Sequence, residues 1–228
     1  MSVASVLQPV ASWLTVYGLS VTVFLSLFVG SFVFWRGLKE DYADDSLLSF
    51  SLVIFLLALL GLVVLRELPW HVLSPFWGSL LVASLGIWFL VRHYQWRLWD
   101  VWDSLISSFL WVMAILGLGL MSDGYLVLGY VISVLGLSSL VLGKWIFARY
   151  RGWRWYLSGK IGAIGLLELL FFTGVFFLVA SLTWKRLYWS PFLSDLAMVG
   201  VCFLFLLVAL YRRSGRQLRE DIRWLKRK

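Results

Sequence analysis

The sequence predicts an all-α polytopic membrane protein with seven transmembrane helices, its N-terminus outside and its C-terminus in the cytoplasm. Three observations predict it: the composition, the way apolar stretches alternate with charge clusters, and the lopsided placement of the basic residues. Of 228 residues, 61% are hydrophobic and 14% charged, and the mean hydropathy is +0.89. A soluble domain is about 45–50% apolar and about 25% charged, so one aqueous core cannot absorb this chain. Seven spans of about 20 residues can. The same numbers exclude a soluble enzyme, a disordered tail and a disulfide-rich secreted domain. The single cysteine, Cys202, rules out an internal disulfide, and two distant histidines beside one cysteine give no zinc-ligand spacing.

Charge clusters punctuate the spans. The first apolar stretch, 10–35, ends at Arg36, and the second, 47–65, lies between the acidic loop 39–45 and Arg66-Glu67. The third, 75–91, is short, yet at about 1.5 Å per residue it still reaches about 25 Å. The fourth, 102–121, is separated from the fifth, 125–147, by Ser122-Asp123-Gly124 alone. The sixth and seventh are 161–184 and 192–211. No ten-residue alternation suggests a barrel, so these are expected to be helices.

Orientation follows from the basic residues. With seven spans, three Lys and Arg fall on the side of the N-terminus and seventeen on the other. No Lys or Arg precedes Arg36, so the leader lacks the basic region of a cleavable signal and reads as a retained first helix. Two regions follow, a transmembrane domain over 1–211 and a basic cytoplasmic tail over 212–228. In the tail, Leu218, Ile222 and Leu225 share a helix face among basic residues, suiting a short amphipathic helix on the inner leaflet.

The net charge of +8 and the interleaved aromatics of Arg149-Tyr150-Arg151-Gly152-Trp153-Arg154-Trp155-Tyr156 could suggest nucleic acid. Anionic headgroups explain them better, because basic residues just inside a membrane gain about 1 kcal/mol each there and Trp and Tyr prefer the interface. No nucleic-acid partner, metal or cofactor is expected.

Chemistry is sought first among ionisable residues inside spans, where burial is costly. Glu168, about two turns into the sixth span, is the clear case. It reads either as a proton carrier or headgroup contact, or as a glutamate bonded to a neighbouring helix. Asp100, Asp103 and Asp195 lie at span edges and read as caps or interface charges. His71 and His93 read as loop histidines. On the fifth span Gly129, Ser133, Gly136 and Gly143 share one face, a spacing that lets helices approach closely, and Gly162 and Gly165 suggest the same on the sixth.

Several segments together are similar to the prolipoprotein diacylglyceryl transferase family of bacterial plasma membranes. They are Phe34-Trp35-Arg36-Gly37-Leu38-Lys39-Glu40-Asp41, the acidic-loop-then-helix stretch 45–65, Pro75-Phe76-Trp77-Gly78-Ser79-Leu80-Leu81, Trp96-Arg97-Leu98-Trp99-Asp100-Val101-Trp102-Asp103, and Trp155-Tyr156-Leu157-Ser158-Gly159-Lys160-Ile161-Gly162. The resemblance runs over most of the chain. It implies a bacterial-type plasma membrane, a phosphatidylglycerol-like anionic phospholipid and a lipoprotein signal peptide as partners, and transfer of diacylglyceryl to a cysteine thiol.

That family is marked by a Ser-Phe-His-Gly-Gly-type segment and a Gly-Arg-x-Gly-Asn-Phe-type signature. Set against them, Trp77 stands where the histidine belongs, Gly117 where the arginine belongs and Leu120 where the asparagine belongs, with Gly78 and Gly119 retained. An arginine fork is the side chain best suited to holding a phosphate in a low-dielectric site, and thiol alkylation needs the thiolate. Loss of one transition-state charge contact costs about 2.7–4 kcal/mol, and here three groups are missing together. The resemblance therefore implies a catalytically degenerate homologue that keeps at most phospholipid or lipoprotein binding, with Gly78, Gly119 and Asp103 as the residues left to contact lipid. A second reading keeps the transferase and assigns it to Arg66, Glu67 and His71 on the outer side. A third is a small transporter centred on a proton-coupled Glu168, although none of the four prolines interrupts a span centre.

Overall fold

The structure, a computed structural model, describes residues 3–67, 75–149, 162–183 and 192–215. Those residues form seven helices: α1 Val3–Leu38, α2 Asp44–Glu67, α3 Pro75–His93, α4 Leu98–Ser122, α5 Leu126–Arg149, α6 Ala163–Thr183 and α7 Phe192–Arg213. Among the described residues, five helical segments are long and apolar enough to cross a membrane: Ser20–Leu38, Leu98–Ser122, Leu126–Arg149, Ala163–Leu182 and Leu196–Arg213. The segment Val82–His93 of α3 is apolar but shorter. The expected tail helix lies mostly beyond the described residues.

The helix ends have local causes. Two of them close in paired hydrogen bonds that satisfy the last carbonyls around a left-handed residue. After α3, Gln95 takes φ 58° while Trp96 N–H reaches Val91 O at 2.9 Å and Gln95 N–H reaches Arg92 O at 3.2 Å. After α4, Gly124 takes φ 92°, with Tyr125 N–H on Leu120 O at 2.9 Å and Gly124 N–H on Met121 O at 3.3 Å. The three residues Ser122-Asp123-Gly124 thus suffice to reverse the chain. Pro75 opens α3, a position where its missing N–H costs nothing.

Helices consecutive in sequence run antiparallel. Leu38, Leu47, Val91 and Val101 share one buried cluster, so the C-terminal ends of α1 and α3 meet the N-terminal ends of α2 and α4. Gly143 near the end of α5 meets Glu168 near the start of α6, and Arg213 at the end of α7 lies 4.0 Å over the ring of Trp99 at the start of α4. One end of the bundle therefore gathers Arg36, Lys39, Arg92, Arg97, Lys144, Arg149, Arg212 and Arg213. Three more cations lie over tryptophan rings at this end: Lys39 over Trp35 at 5.3 Å, Arg92 over Trp88 at 4.8 Å and Arg149 over Trp145 at 4.6 Å.

The outer surface of the bundle, unlike that of a water-soluble protein, is apolar, and a few polar side chains lie inside among the apolar ones. Phe24, Phe28, Phe205 and Leu182 point outward with 74%, 68%, 72% and 83% of their surface exposed, whereas Ser26, Ser133, Ser139 and Glu168 are buried. Monomeric soluble proteins rarely carry contiguous apolar surface of this kind. A lipid environment removes that cost.

Two seams of small residues hold α4. Toward α1, Gly18, Gly30 and Gly37 face Ser122, Ser108 and Ser104, and Ser108 donates to Gly30 O at 2.6 Å. Toward α5, Gly117 and Gly129 oppose each other, and Ser133 donates to Ala114 O at 2.8 Å. Hydrocarbon gives helices no hydrophobic reason to associate, so close backbone approach and such hydrogen bonds do the work. On the remaining interfaces, Gly86 lies against Leu57, Gly174 against Phe203 and Gly200 against Phe177.

Candidate functional site

Where α4, α5 and α6 converge, the bundle holds two carboxyl groups, the buried Glu168 and the half-buried Asp103. Glu168 is 3% exposed. Ser107 on α4 donates to its Oε2 at 3.3 Å, and its Oε1 lies against Gly143 of α5, in the space a Cβ there would occupy. Gly143 belongs to the same face as Gly129, Ser133 and Gly136, but that face divides its partners. The first three meet α4, while Gly143 makes room for a side chain of α6.

Asp103, one turn before Ser107, accepts the N–H of Gly162 at 3.1 Å and of Gly165 at 2.7 Å. It is a helix cap, as expected of a carboxylate at a span edge, but of α6 rather than of its own helix. The residue before α4 is Arg97, which makes no side-chain cap bond. The arrangement works because α6 starts on Gly162, with φ 94°, packed against the Trp99 ring, so that its first amides point at α4. Arg213, from the end of α7, interacts electrostatically with Asp103. Four helices thus meet at one charged knot. Beside it the indole N–H of Trp102 is buried without a hydrogen-bond partner among the described residues.

The residues that the family resemblance singles out are distributed differently. Gly117 is buried at the α4–α5 seam, where a Cβ would meet Ser133 Oγ, Gly129 O and the Ser133 amide nitrogen. Gly119 is buried as well, and its carbonyl accepts Ser122 Oγ at 2.7 Å and the Asp123 amide at 3.1 Å. Leu120 packs on the main apolar core. Trp77 and Gly78 belong to α3, and Arg66 and Glu67 end α2, but their side chains lie outside the described residues, as do those of Asp195 and all of His71. The structure therefore does not bring the Arg66, Glu67 and His71 group into view. His93 lies at the basic end, stacked on Phe89 with ring centroids 6.3 Å apart. Cys202 is half-buried and unpaired.

A second polar feature sits at the basic end, outside the spans. Tyr42, in the turn between α1 and α2, packs 4.6 Å from Trp96, which also touches Phe50 at 5.3 Å and Tyr94 at 5.0 Å. Burial pushes the Tyr42 phenol above its ordinary range and the Asp100 carboxylate adds to the rise, against a hydrogen bond from the Arg97 backbone. Nearby, Trp35 Nε1 donates to Asp44 Oδ1 at 2.7 Å. These contacts tie the α1–α2 turn to the α3–α4 turn.

Reading the sequence along its length misses Ser107 as the partner of Glu168, Ser108 as the partner of Gly30, and Arg213 as the cation at the knot. Asp103, Ser104, Ser107 and Ser108 fall within a turn and a half of one helix, and that concentration of polar side chains in an apolar span is the signal that could have found them. Among the described residues no group of three His, Cys, Asp or Glu side chains is placed to hold a metal ion. No known family, curated protein or solved structure matches this chain.

Proposed function

We propose that the chain is a seven-span membrane protein, N-terminus outside and C-terminus inside, built on the plan of the prolipoprotein diacylglyceryl transferases but no longer able to transfer. What it keeps is binding of an anionic phospholipid. The orientation is supported by the gathering of basic residues at one end, where positively charged flanks favour the cytoplasmic side. The observation that carries the loss of transfer is the packing at Gly117. An arginine at that position would have to enter a seam where even a methyl group meets Ser133 and Gly129. The basic residues whose side chains are described, Arg36, Lys39, Arg92, Arg97, Lys144, Arg149, Arg212 and Arg213, are all exposed or half-exposed, so none of these supplies a buried guanidinium to neutralise a phosphate.

Phospholipid binding is supported by the basic end, where cations held over tryptophan rings line the level of the headgroups. The test is an in vitro transfer assay with phosphatidylglycerol and a lipobox peptide, run beside lipid analysis of the purified protein. The expected result is anionic phospholipid co-purifying with the chain and no thioether-linked product. Diacylglyceryl transfer to the peptide overturns the degenerate reading, and recovery of zwitterionic lipid alone overturns the binding one.

A further inference from the structure

Lipid binding at the basic end leaves the carboxyl of Glu168 without a task. Its surroundings can be taken helix by helix. From α5 it meets the bare backbone of Gly143, while the neighbouring Lys144 is exposed. The close fit at Gly143 leaves no space on that side for a metal ion or a cationic side chain. From α4 it receives the Ser107 hydroxyl and faces the like charge of Asp103, both of whose oxygens are taken by the α6 amides. On α6 itself its neighbours Leu167 and Leu169 are apolar. From α7, the described basic residues are the exposed Arg212 and the half-buried Arg213, the latter engaged with Trp99 and Asp103. Among the described residues, no cation lies against Glu168. An ionised carboxylate in hydrocarbon needs a partner, and the ion small enough to reach this one is a proton.

We propose that Glu168 is a reversible proton-binding site, with Ser107 as its hydrogen-bond partner in both protonation states and Asp103 marking the end from which protons arrive. The serine is suited to this because a hydroxyl both donates and accepts. With Glu168 ionised, Ser107 O–H donates to Oε2. When a proton from water at the basic end binds Oε2, the new carboxyl O–H donates to Ser107 Oγ. The Ser107 O–H then turns to the carbonyl oxygen of Asp103, one turn back on its own helix. Release reverses both movements and returns the proton to water, with no other bond made or broken.

Infrared difference spectroscopy of the full-length protein in lipid nanodiscs, titrated from about pH 5 to about pH 9, reads the site directly. The expected signal is the C=O stretch of a protonated carboxylic acid, fading as pH rises and shifting when the glutamates carry carboxyl 13C. Glu168→Gln, close in shape and still able to accept from Ser107, is expected to lack the band at every pH. Ser107→Ala is expected to keep the band but move it to higher frequency, as a carboxylic acid deprived of a hydrogen-bond partner does. Three results overturn the proposal. They are a titrating band unmoved by labelled glutamate, a glutamate band that persists in Glu168→Gln, and the absence of any titrating carboxylic band in the wild-type protein. The labelling experiment uses no variant, so it stands even if Glu168→Gln fails to fold.

Discussion

The carboxyl group of Glu168 fills the place that a side chain at residue 143 would occupy, so α5 and α6 cross there with nothing but backbone on one side. A glycine that merely lets two helices touch tolerates a methyl group if the neighbour can shift. This one faces a buried side chain whose Cγ lies 2.8 Å from the would-be Cβ, so the whole carboxyl arm must leave. Gly143→Ala is therefore expected to destabilise the protein by about 1–3 kcal/mol, the usual cost of overpacking a filled interior. The same substitution made on Glu168→Ala should cost far less, because the obstruction is gone. Thermal unfolding of the four proteins of this cycle in detergent checks it, and equal costs in both backgrounds would show that the two residues do not compete for space.

Asp103 joins two helices whose sequence positions are far apart. Its two oxygens satisfy amides that the first turn of α6 would otherwise leave bare. Asp103→Ala is expected to cost about 0.5–2 kcal/mol, as loss of a capping side chain does. Asp103→Asn, which keeps one acceptor oxygen, should cost less. Hydrogen exchange distinguishes this from general loosening. The Gly165 amide and its neighbours should exchange faster in the alanine variant while the α5 amides stay as they were. Unchanged protection at Gly165 would mean that the cap contributes nothing.

Along the α1–α4 seam a hydroxyl and a missing side chain contribute separately. Removing the hydrogen bond with Ser108→Ala should cost about 0.6 kcal/mol, the average for interhelical hydrogen bonds inside a membrane. Gly30→Leu should cost more, because its Cβ would already stand 2.5 Å from Val112 Cγ2 and 3.2 Å from Ser108 Oγ. Stability measured in the same detergent ranks the two. A Ser108→Ala loss larger than that of Gly30→Leu would assign the seam to hydrogen bonding rather than to close packing.

Much of this architecture is legible in the sequence, because apolar length and charge punctuation are local properties. The helix ends differ from the expected ones by a few residues for a physical reason. Arg36 stays inside α1, which continues to Leu38, because an exposed arginine at a helix end can reach the interface without ending the helix. Gly129, Ser133 and Gly136 announce close packing by their spacing. Nothing in that spacing says that Gly143 serves a different neighbour from the other three, since a face says only that something comes near. Glu168 stands out as a charge in an apolar run, whereas its partner is one serine among several on α4. The cap on α6 is illegible for a similar reason. The nearest carboxylate in sequence is not the one that folding brings to Gly162 and Gly165.

Tyr42 gives the fold a dependence on high pH that one substitution can isolate. Burial, then the charge of Asp100, holds its phenol protonated beyond the ordinary tyrosine range. The folded protein therefore binds this proton more tightly than the unfolded chain, whose phenol ionises near pH 10. That contribution is fully present below about pH 10 and is lost as pH rises through the higher folded value, because deprotonation then favours the unfolded chain. Tyr42→Phe keeps the ring against Trp96 but has no proton to lose. The stability of the wild-type protein should consequently fall faster with pH in this alkaline window than that of Tyr42→Phe. Unfolding measured at matched pH values in both proteins checks it, and parallel losses would mean that the Trp96 cluster holds the ring without perturbing its ionisation.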